Sequence, residues 1–360
     1  MKKNAKKIGL IVAAIVGVML AAALILILVL TVTEYRPAAV ETVSHHGEAQ
    51  KQLHTGDTID IISWNIGFGA LGDNADFFMD GGKKVKPSTK ERVQENIDAI
   101  TDFLAEEEAD LVLLQEVDEK STHSYYMDER TMLASGLEQA GLSYENYLAY
   151  NFKTLCVPYP IPPIGREQAG QVTFSAYPSS DAQRISLPCP FSYPVRLANL
   201  KRCLLVNRIP VADSDRELVV INLHLEAYDD GTGKEMQTRM LVQLFEEEME
   251  KGNYVIAGGD FNQTLDTVDL SNYPRQGEEL WKPSMIDTSA FTDVQCLMDE
   301  RVPSCRSLDR PYDSEDPDFQ YYVLDGYLLS GNLTVESLET VDLGFVNSDH
   351  NPVRLQVIVE

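Results

Sequence analysis

Between Ile8 and Thr33 lie 26 consecutive residues without a charge, among them IVAAIVGVML and AAALILILVL. A helix needs about 20 such residues to cross the hydrocarbon core of a bilayer, so this run decides the topology of the chain. A run of 26 uncharged residues with no polar face is too long for the buried core helix of a soluble domain. The apolar region of a cleaved signal peptide is shorter, roughly 7 to 15 residues, and ends at a small-residue site. Thr31–Arg36 (TVTEYR) offers no A-x-A pattern, and no cysteine follows closely enough to indicate a lipid-modified N-terminus. Lys2, Lys3, Lys6 and Lys7 precede the run with no acid among them. The positive-inside rule places that end in the cytoplasm and everything beyond Thr33 outside. The chain divides into a basic cytoplasmic stub (1–7), a single-pass anchor in the cell membrane (8–33), a polar linker (34–58) and one extracytoplasmic domain (59–360).

Four of the 30 Lys+Arg precede the anchor and none of the 56 Asp+Glu does, so the exported part carries 26 − 56 = −30. Broad contact with nucleic-acid phosphates needs clustered Lys and Arg, so any such contact here is local or works through a metal. Five cysteines in 360 residues exclude a disulfide scaffold. Cys296 and Cys305 have a spacing that permits a bridge without demanding one, and Cys156, Cys189 and Cys203 leave an odd thiol. Three of the six histidines, His45, His46 and His54, fall in the linker, where solvated side chains are the expectation.

Strand and helix signals alternate through the exported part. Ile59–Ile66 is β-branched, and Asp110–Glu116 (DLVLLQE) is a continuous apolar run suited to a strand buried on both faces. Between them Ser88 and Glu91 form a capping box ahead of Val93, Ile97, Ile100 and Leu104 at helical spacing. Further strands are expected at Gln171–Ser175, Cys203–Asn207, Leu218–Leu225, Tyr254–Ala257, Val323–Ser330 and Val353–Val359. A second helix is expected over Glu235–Lys251, with Met236, Met240, Leu244 and Phe245 on one face and Gly252 at its end. Thr264–Gln320 reads as loop, with five prolines. The pattern predicts an α/β domain of two mixed sheets packed face to face with helices outside.

Six short strings end or follow these strands with polar residues that a core does not need: Trp64-Asn65-Ile66, Leu114-Gln115-Glu116-Val117, Asn222-Leu223-His224-Leu225, Gly258-Gly259-Asp260-Phe261-Asn262, Leu324-Asp325-Gly326-Tyr327, and Ser348-Asp349-His350-Asn351-Pro352-Val353. Glu116, Asp260 and Asp349 supply carboxylates, and Asn65 and Asn262 supply amides, a donor set for a hard cation such as Mg²⁺. No CxxC, HxxxH or HxH cluster favours tetrahedral zinc. Asp260 and Asn262 are i and i+2, so a continuing strand would point both side chains one way. His350 follows an aspartate, and Asp325 is available to orient it, which is the arrangement that activates a water. Taken singly each string reads equally as turn or surface polarity; Gly258–Asn262 alone is a turn with Asx bonds.

The ordered set WN, QE, NLH, GGDFN, LDG and SDHNPV resembles the endonuclease/exonuclease/phosphatase superfamily, over about Ile59 to Glu360. The resemblance implies a four-layered α/β sandwich and Mg²⁺-dependent (or Mn²⁺-dependent) hydrolysis of a phosphate ester. By position it makes Glu116 the principal metal ligand, with Asn65 and Asp349 completing the metal and phosphate environment. Asp260 and Asn262 would hold the attacking water and a phosphate oxygen. His350 would be the general base, oriented by Asp325, and His224 would stabilise or protonate at the phosphate, as in the deoxyribonuclease, sphingomyelinase and 5-phosphatase branches. Arg202 is a further phosphate contact. Two departures stand out. Ser175-Ala176-Tyr177-Pro178 lacks the arginine that many members carry after the serine, and Ala75–Lys84 has no counterpart in the common members. Lys83, Lys84 and Lys86 there read as a solvated loop, or as scarce positive charge for an anionic substrate.

Two classes of function follow. The first is a tethered phosphodiesterase of nuclease type, or alternatively one acting on lipid headgroups. The second is a non-catalytic binding module that kept the fold. Such a module is expected to have lost a ligand or the histidine, and this chain has kept Glu116, Asp260, Asn262, Asp325, Asp349 and His350. The partners implied are the phosphate-ester substrate and the membrane, with no protein partner.

Overall fold

The alternation of inward and outward side chains along two adjacent strands builds the layers. In the computed structural model, which describes residues 2–229 and 231–360, the apolar run DLVLLQE lies in a strand at Leu111–Asp118. Leu111 and Leu113 point into the space between two sheets, while Val112 and Leu114 point outward to helices. Its parallel neighbour Thr58–Asn65 does the same, with Ile59 and Ile61 inward and Ile62 and Trp64 outward. Period-two alternation with both faces covered explains why neither strand has a polar side.

The elements run α1 (Lys2–Val32), β1 (Val40–Thr42), β2 (His45–Gly47), β3 (Thr58–Asn65), α2 (Lys90–Glu107), β4 (Leu111–Asp118), α3 (Glu129–Gln139), β5 (Glu145–Val157), β6 (Gly165–Ser175), β7 (Asp181–Ser186), β8 (Cys203–Pro210), β9 (Glu217–His224), α4 (Thr232–Glu250), β10 (Tyr254–Asp260), β11 (Gln263–Leu265), β12 (Ser284–Ile286), β13 (Val294–Leu297), β14 (Cys305–Arg306), β15 (Tyr321–Tyr322), β16 (Asp325–Ser330), β17 (Leu333–Thr340) and β18 (Val353–Val359). One seven-stranded sheet has the order β1-β7-β8-β9-β10-β16-β13, the other β17-β18-β3-β4-β6-β5-β2. Between them pack Leu218, Val220, Ile256, Tyr327 and Leu329 against Ile59, Ile61, Leu113 and Leu355. Val93, Ile97, Leu133 and Leu137 of α2 and α3 cover one outer face. Leu241 and Phe245 of α4 cover the other. This is the four-layered α/β sandwich expected from the sequence.

Several local expectations shift. The cap of α2 is Thr89, one residue after Ser88, whose hydroxyl accepts from the Arg92 amide at 3.2 Å. On α4 the buried stripe is Gln237, Leu241, Phe245 and Glu248, and Met236 stands exposed, because the helix starts at Thr232 and turns that residue toward solvent. Helix α3 and strands β5, β7 and β17 carry no strong sequence signal; β5 and β17 are edge-proximal strands with mixed burial. The five cysteines are free, so Cys296 and Cys305 do not pair: the first lies on the edge strand β13, the second on β14 beside the site. The segment after α1 is not a free linker. β1 pairs with β7 at one sheet edge and β2 with β5 at the edge of the other. Three-residue pairings leave too short an apolar pattern to be read from sequence. Lys6–Val32 of α1 is long and apolar enough to cross a membrane.

Candidate active site

Two parallel strand pairs deliver the polar residues to one place. β3 and β4 run parallel through the crossover helix α2, β9 and β10 through α4. Their carboxyl ends carry Asn65, Glu116, His224 and Asp260. Ligands of open α/β sheets bind at such ends. Register then does the rest: Asp260 pairs with His224 on one side and with Asp325 on the other, so three separate strings form one row across β9, β10 and β16.

Glu116 reaches the cleft through a local irregularity. The β4–β6 register shifts between Leu114 and Val117, and Glu116 has φ +55°. A bulge of this kind re-aims a side chain, and a left-handed non-glycine residue stores strain that clusters at functional sites. Asn262 is also left-handed, φ +50°, so the strand ends at Asp260 and the expected i, i+2 strand geometry does not persist. An Asx turn brings the pair together instead: the Asn262 amide donates to Asp260 Oδ1 at 2.8 Å, and its Nδ2 donates to the Leu225 carbonyl at 3.0 Å. Gly67 has φ +52°, and a Cβ there would meet Asp349 Oδ1 at 2.8 Å. Asp349 therefore requires glycine beside it.

Asp260 is the hub. Asn65 Nδ2 donates to its Oδ2 at 3.0 Å and to Glu116 Oε1 at 3.2 Å. His224 Nε2 lies 3.4 Å from Asp260 Oδ2 and 3.9 Å from Glu116 Oε1, and His350 Nε2 lies 3.9 Å from the same Asp260 oxygen. Asn65 Oδ1 accepts from the Gly67 amide at 3.0 Å, so this side chain faces the carboxylates with its donor. Burial, with the Asp349 charge added, pushes Glu116 up to about 7. Burial pushes Asp260 up to about 6 and raises Asp349. Burial outweighs the opposing charges of His350 and Arg306, and three buried carboxylates gathered in this way have the donor chemistry of a hard divalent cation site.

The two histidines are set in opposite states. His350 Nδ1 bonds to Asp325 Oδ2 at 2.8 Å, which leaves Nε2 toward the cleft. Burial opposes a charge on His350, but Asp325 outweighs it and raises the pKa well above the ordinary value. Burial, Arg202 and His350 hold His224 well below it. Asp325 is itself fixed by Ser304, whose hydroxyl donates to Oδ2 at 2.7 Å and accepts from the Leu324 and Asp325 amides. Trp64 Nε1 donates to the His350 carbonyl at 2.8 Å, and Ser348 Oγ donates to the Asn65 carbonyl at 2.7 Å. Two motif residues work underneath: Gln115 Nε2 donates to Asn222 Oδ1 at 2.9 Å, and Asn222 Nδ2 donates to the Leu114 and Val172 carbonyls, tying the sheets together. Arg202 lies in the cavity wall, its Nε 3.9 Å from Glu226.

The site opens into a cavity of about 390 Å³ that holds Glu116, His224, Asp260, Asn262, Asp349 and His350 among its lining residues, with Phe68, Phe77, Met79, Phe152, Phe191 and Trp281 on its walls. The Ala75–Lys84 segment supplies part of this wall, contrary to a purely solvated loop. Asp76 accepts from the Lys83 and Lys84 amides and pairs with Lys84 at 3.2 Å, which turns Phe77, Met79 and Asp80 to the cavity. Lys86 lies over the Tyr125 ring, so Lys84 and Lys86 are engaged elsewhere. Asp80 bonds to the Tyr228 hydroxyl across the mouth, and burial pushes it up to about 6. Behind Glu116, His123 Nε2 lies 2.8 Å from Asp118 and 3.3 Å from Glu167. Burial opposes its charge, yet Glu167 and Asp118 raise it to about 9, so the three side chains form one buried polar cluster beneath the floor. Ser304, Asp80 and Tyr228 had no sequence signal, because each acts through a partner distant in the chain.

Comparison with known proteins agrees with this geometry. The model of the endonuclease/exonuclease/phosphatase family matches residues 62–350. No curated protein sequence matches. Among solved structures, an endonuclease/exonuclease/phosphatase from Beutenbergia cavernae DSM 12333 is similar with TM-score 0.55 at 16% identity, over 84% of this chain and 72% of that one. An endonuclease/exonuclease/phosphatase family protein from Leptotrichia buccalis C-1013-b gives 0.52 at 14%, over 83% and 99%. TDP2 from C. elegans gives 0.51 at 14%, over 84% and 75%. Identities this low speak to the fold, and the family match covers most of the chain. The chain belongs to the endonuclease/exonuclease/phosphatase family, a family of divalent-metal-dependent phosphoester hydrolases.

Proposed function

We propose that the chain is a membrane-tethered, Mg²⁺-dependent phosphodiesterase. The observation that carries this reading is the gathering of Glu116, His224, Asp260, Asp349 and His350 in one cavity, with Asn65 bonded to Glu116 and Asp260 and Asp325 to His350 behind them. Glu116, Asp260 and Asp349 would hold the cation, Mg²⁺ or Mn²⁺; the Asn65 oxygen is turned to Gly67 and its Nδ2 donates to Asp260 and Glu116, so Asn65 would position two of these carboxylates. A cation held there would supply charge stabilisation at the phosphate oxygens, and its charge would disfavour the imidazolium form of His350. With Nδ1 donating to Asp325, His350 presents Nε2 as the base that takes the proton of the attacking water. Asp260 and Asn262 would hold that water and a phosphate oxygen. Neutral His224 donates to the phosphate, and Arg202 adds positive charge from the wall.

Two substrate readings separate on the cavity. Nuclease action accords with the family. A lipid-headgroup substrate is favoured by the aromatic and aliphatic wall beside the carboxylates, which suits an apolar substituent on the phosphate. Both are tested together: full-length protein is offered plasmid DNA, RNA, sphingomyelin, phosphoinositides and a chromogenic phosphodiester, with Mg²⁺ and with chelator. Hydrolysis that persists in excess chelator, or no hydrolysis of any phosphodiester, refutes the reading. Protease added to intact cells should remove the domain and leave a membrane stub; a protected domain refutes the extracytoplasmic placement.

A further inference from the structure

The anchor helix does not leave the domain through a flexible tether; its end is clamped to the wall of the active-site cavity. Leu30 is 5% exposed, in a helix whose other large side chains stand open, and Leu26, Ile27 and Thr31 are partly covered. Thr31 Oγ1 lies 3.3 Å from the Tyr193 hydroxyl. Glu34 is buried among Arg36 at 2.9 Å, Arg196 at 3.2 Å and Lys201 at 3.7 Å. Tyr35 carries Lys153 and Arg184 over its ring.

Length then sets depth. The 27 residues of Lys6–Val32 span about 40 Å at ~1.5 Å per residue, against a hydrocarbon core of about 30 Å. With Lys6 and Lys7 held among the opposite headgroups, the excess of about 10 Å falls on the last two turns. Those turns are the ones that pack on the domain, so the surface around Tyr193 sits at headgroup depth.

That surface is apolar where it faces outward. Tyr193 and Val195 are 52% and 58% exposed, and on the neighbouring loop after β5, Tyr159 and Ile161 are 65% and 93% exposed. The two segments are joined: Thr154 Oγ1 donates to the Leu197 carbonyl, and the Lys201 amide donates to the Asn151 carbonyl. Both line one wall of the cavity, through Val157 and Ile164 on one side and Phe191 and Leu200 on the other. Phe78 of the Ala75–Lys84 segment packs edge-on against Tyr159. Tyrosines with Arg36, Arg196 and Lys153 around a helix exit have the composition of a membrane interface belt.

We propose that the catalytic domain rests on the bilayer that holds its anchor, with Tyr159, Ile161, Tyr193 and Val195 inserted at the headgroup boundary and the cavity opening beside them. The proposal rests on the reading of α1 as a membrane span. A domain of charge −30 gains nothing from anionic lipid, so docking is apolar and works on zwitterionic phosphatidylcholine. The test uses the full chain in phosphatidylcholine vesicles, with one added cysteine carrying an environment-sensitive fluorophore and the unaltered chain, labelled alike, as background. Ile161→Cys should show blue-shifted emission and strong quenching by nitroxide-labelled lipid. Ser337→Cys, on the far edge strand β17, should stay in water, and Val18→Cys, in mid-anchor, should be quenched from the bilayer core. Quenching at 18 without quenching at 161 overturns the docking and leaves the anchor standing. No quenching at 18 overturns the anchor reading and the docking with it. Equal quenching at 161 and 337 also overturns the proposal, because the domain would then have no fixed face toward the lipid.

Discussion

Replacing Glu116 by glutamine should stabilise the metal-free protein while abolishing hydrolysis. Burial and Asp349 raise the Glu116 pKa from 4.5 to about 7. A carboxyl whose folded pKa is raised costs the folded state nothing below the unfolded value; the cost grows as pH climbs from 4.5 and is complete above 7. Each unit is worth about 1.4 kcal/mol, so full burial would imply about 3.4 kcal/mol at pH 8. The side chain is 29% exposed into the cleft, and solvent there reduces the cost to about 1–2 kcal/mol. In chelator at pH 8, Glu116→Gln should therefore melt a few degrees above the parent, and at pH 5 the two should nearly coincide. With Mg²⁺ at a hundredfold its Kd the parent gains about 2.7 kcal/mol, and the variant, short of a charged ligand, should gain far less and turn over no substrate. The assay is thermal unfolding of detergent-solubilised full-length chain at both pH values, with and without Mg²⁺, beside a phosphodiester assay. A variant that melts below the parent in chelator at pH 8, or that Mg²⁺ stabilises as much as the parent, refutes the assignment of Glu116 as a strained, metal-facing carboxylate.

Three further outcomes are expected. His350→Ala should lower kcat by roughly 10²–10⁴-fold with little change in KM; Asp325→Asn should also lower it, and the double variant should be little worse than His350→Ala alone if the pair acts as a unit. Rates within about twofold of the parent would make both residues ordinary loop polarity. Asn222→Leu should cost about 2–4 kcal/mol in chemical denaturation, because Gln115 Nε2 and the Leu114 and Val172 carbonyls lose their partner in the middle of the sandwich; an unchanged midpoint would contradict the role given to it. For Glu248, burial raises the pKa but Arg208, Lys251 and Asn253 outweigh it and lower it to about 2. Its contribution is present above pH 4.5 and lost as pH falls through 2, so Glu248→Gln should cost about 1–2 kcal/mol at pH 7, after allowing for the exposed Lys251, and almost nothing near pH 2. A cost independent of pH would rule out the charge as its source.

Much of the architecture was legible because burial on both faces leaves a plain mark. DLVLLQE and IDIISWNI have no room for a polar face, and α2 repeats its apolar residues at helical spacing. Strands with mixed faces escaped notice: β5 carries Lys153 and Leu155 outward, and β1 and β2 pair over three residues each. The expected linker is structured for the same reason, since edge pairing is made by backbone hydrogen bonds that leave little trace in side-chain pattern. The capping box failed by one residue because Ser88 and Thr89 offer equivalent hydroxyls, and only the entry angle of the chain chooses between them. The Cys296–Cys305 pairing that spacing allowed is not made, and both thiols are free.

The residues of the site were legible for a different reason. A polar residue at the end of a buried strand has no packing role there, so each string announced itself, but none announced its neighbours. Adjacency comes from register: one residue of slip between β9 and β10 would turn His224 to the opposite face from Asp260. That register is held by what lies beneath, the Gln115–Asn222 bonds between the sheets and the Tyr327 hydroxyl donating to the Val353 carbonyl at 2.8 Å. Gln115 and Asn222 belong to the same strings as Glu116 and His224, one position or two before them. Alternation along a strand places the residue before Glu116 in the sandwich and the bulge turns Glu116 itself into the cleft. A single short string thus carries both the group that faces the substrate and the group that locks the strand supporting it. Ser304, Asp80 and the Glu34 clamp lie outside such strings because their partners are set by loops, and loops take their course from the whole fold.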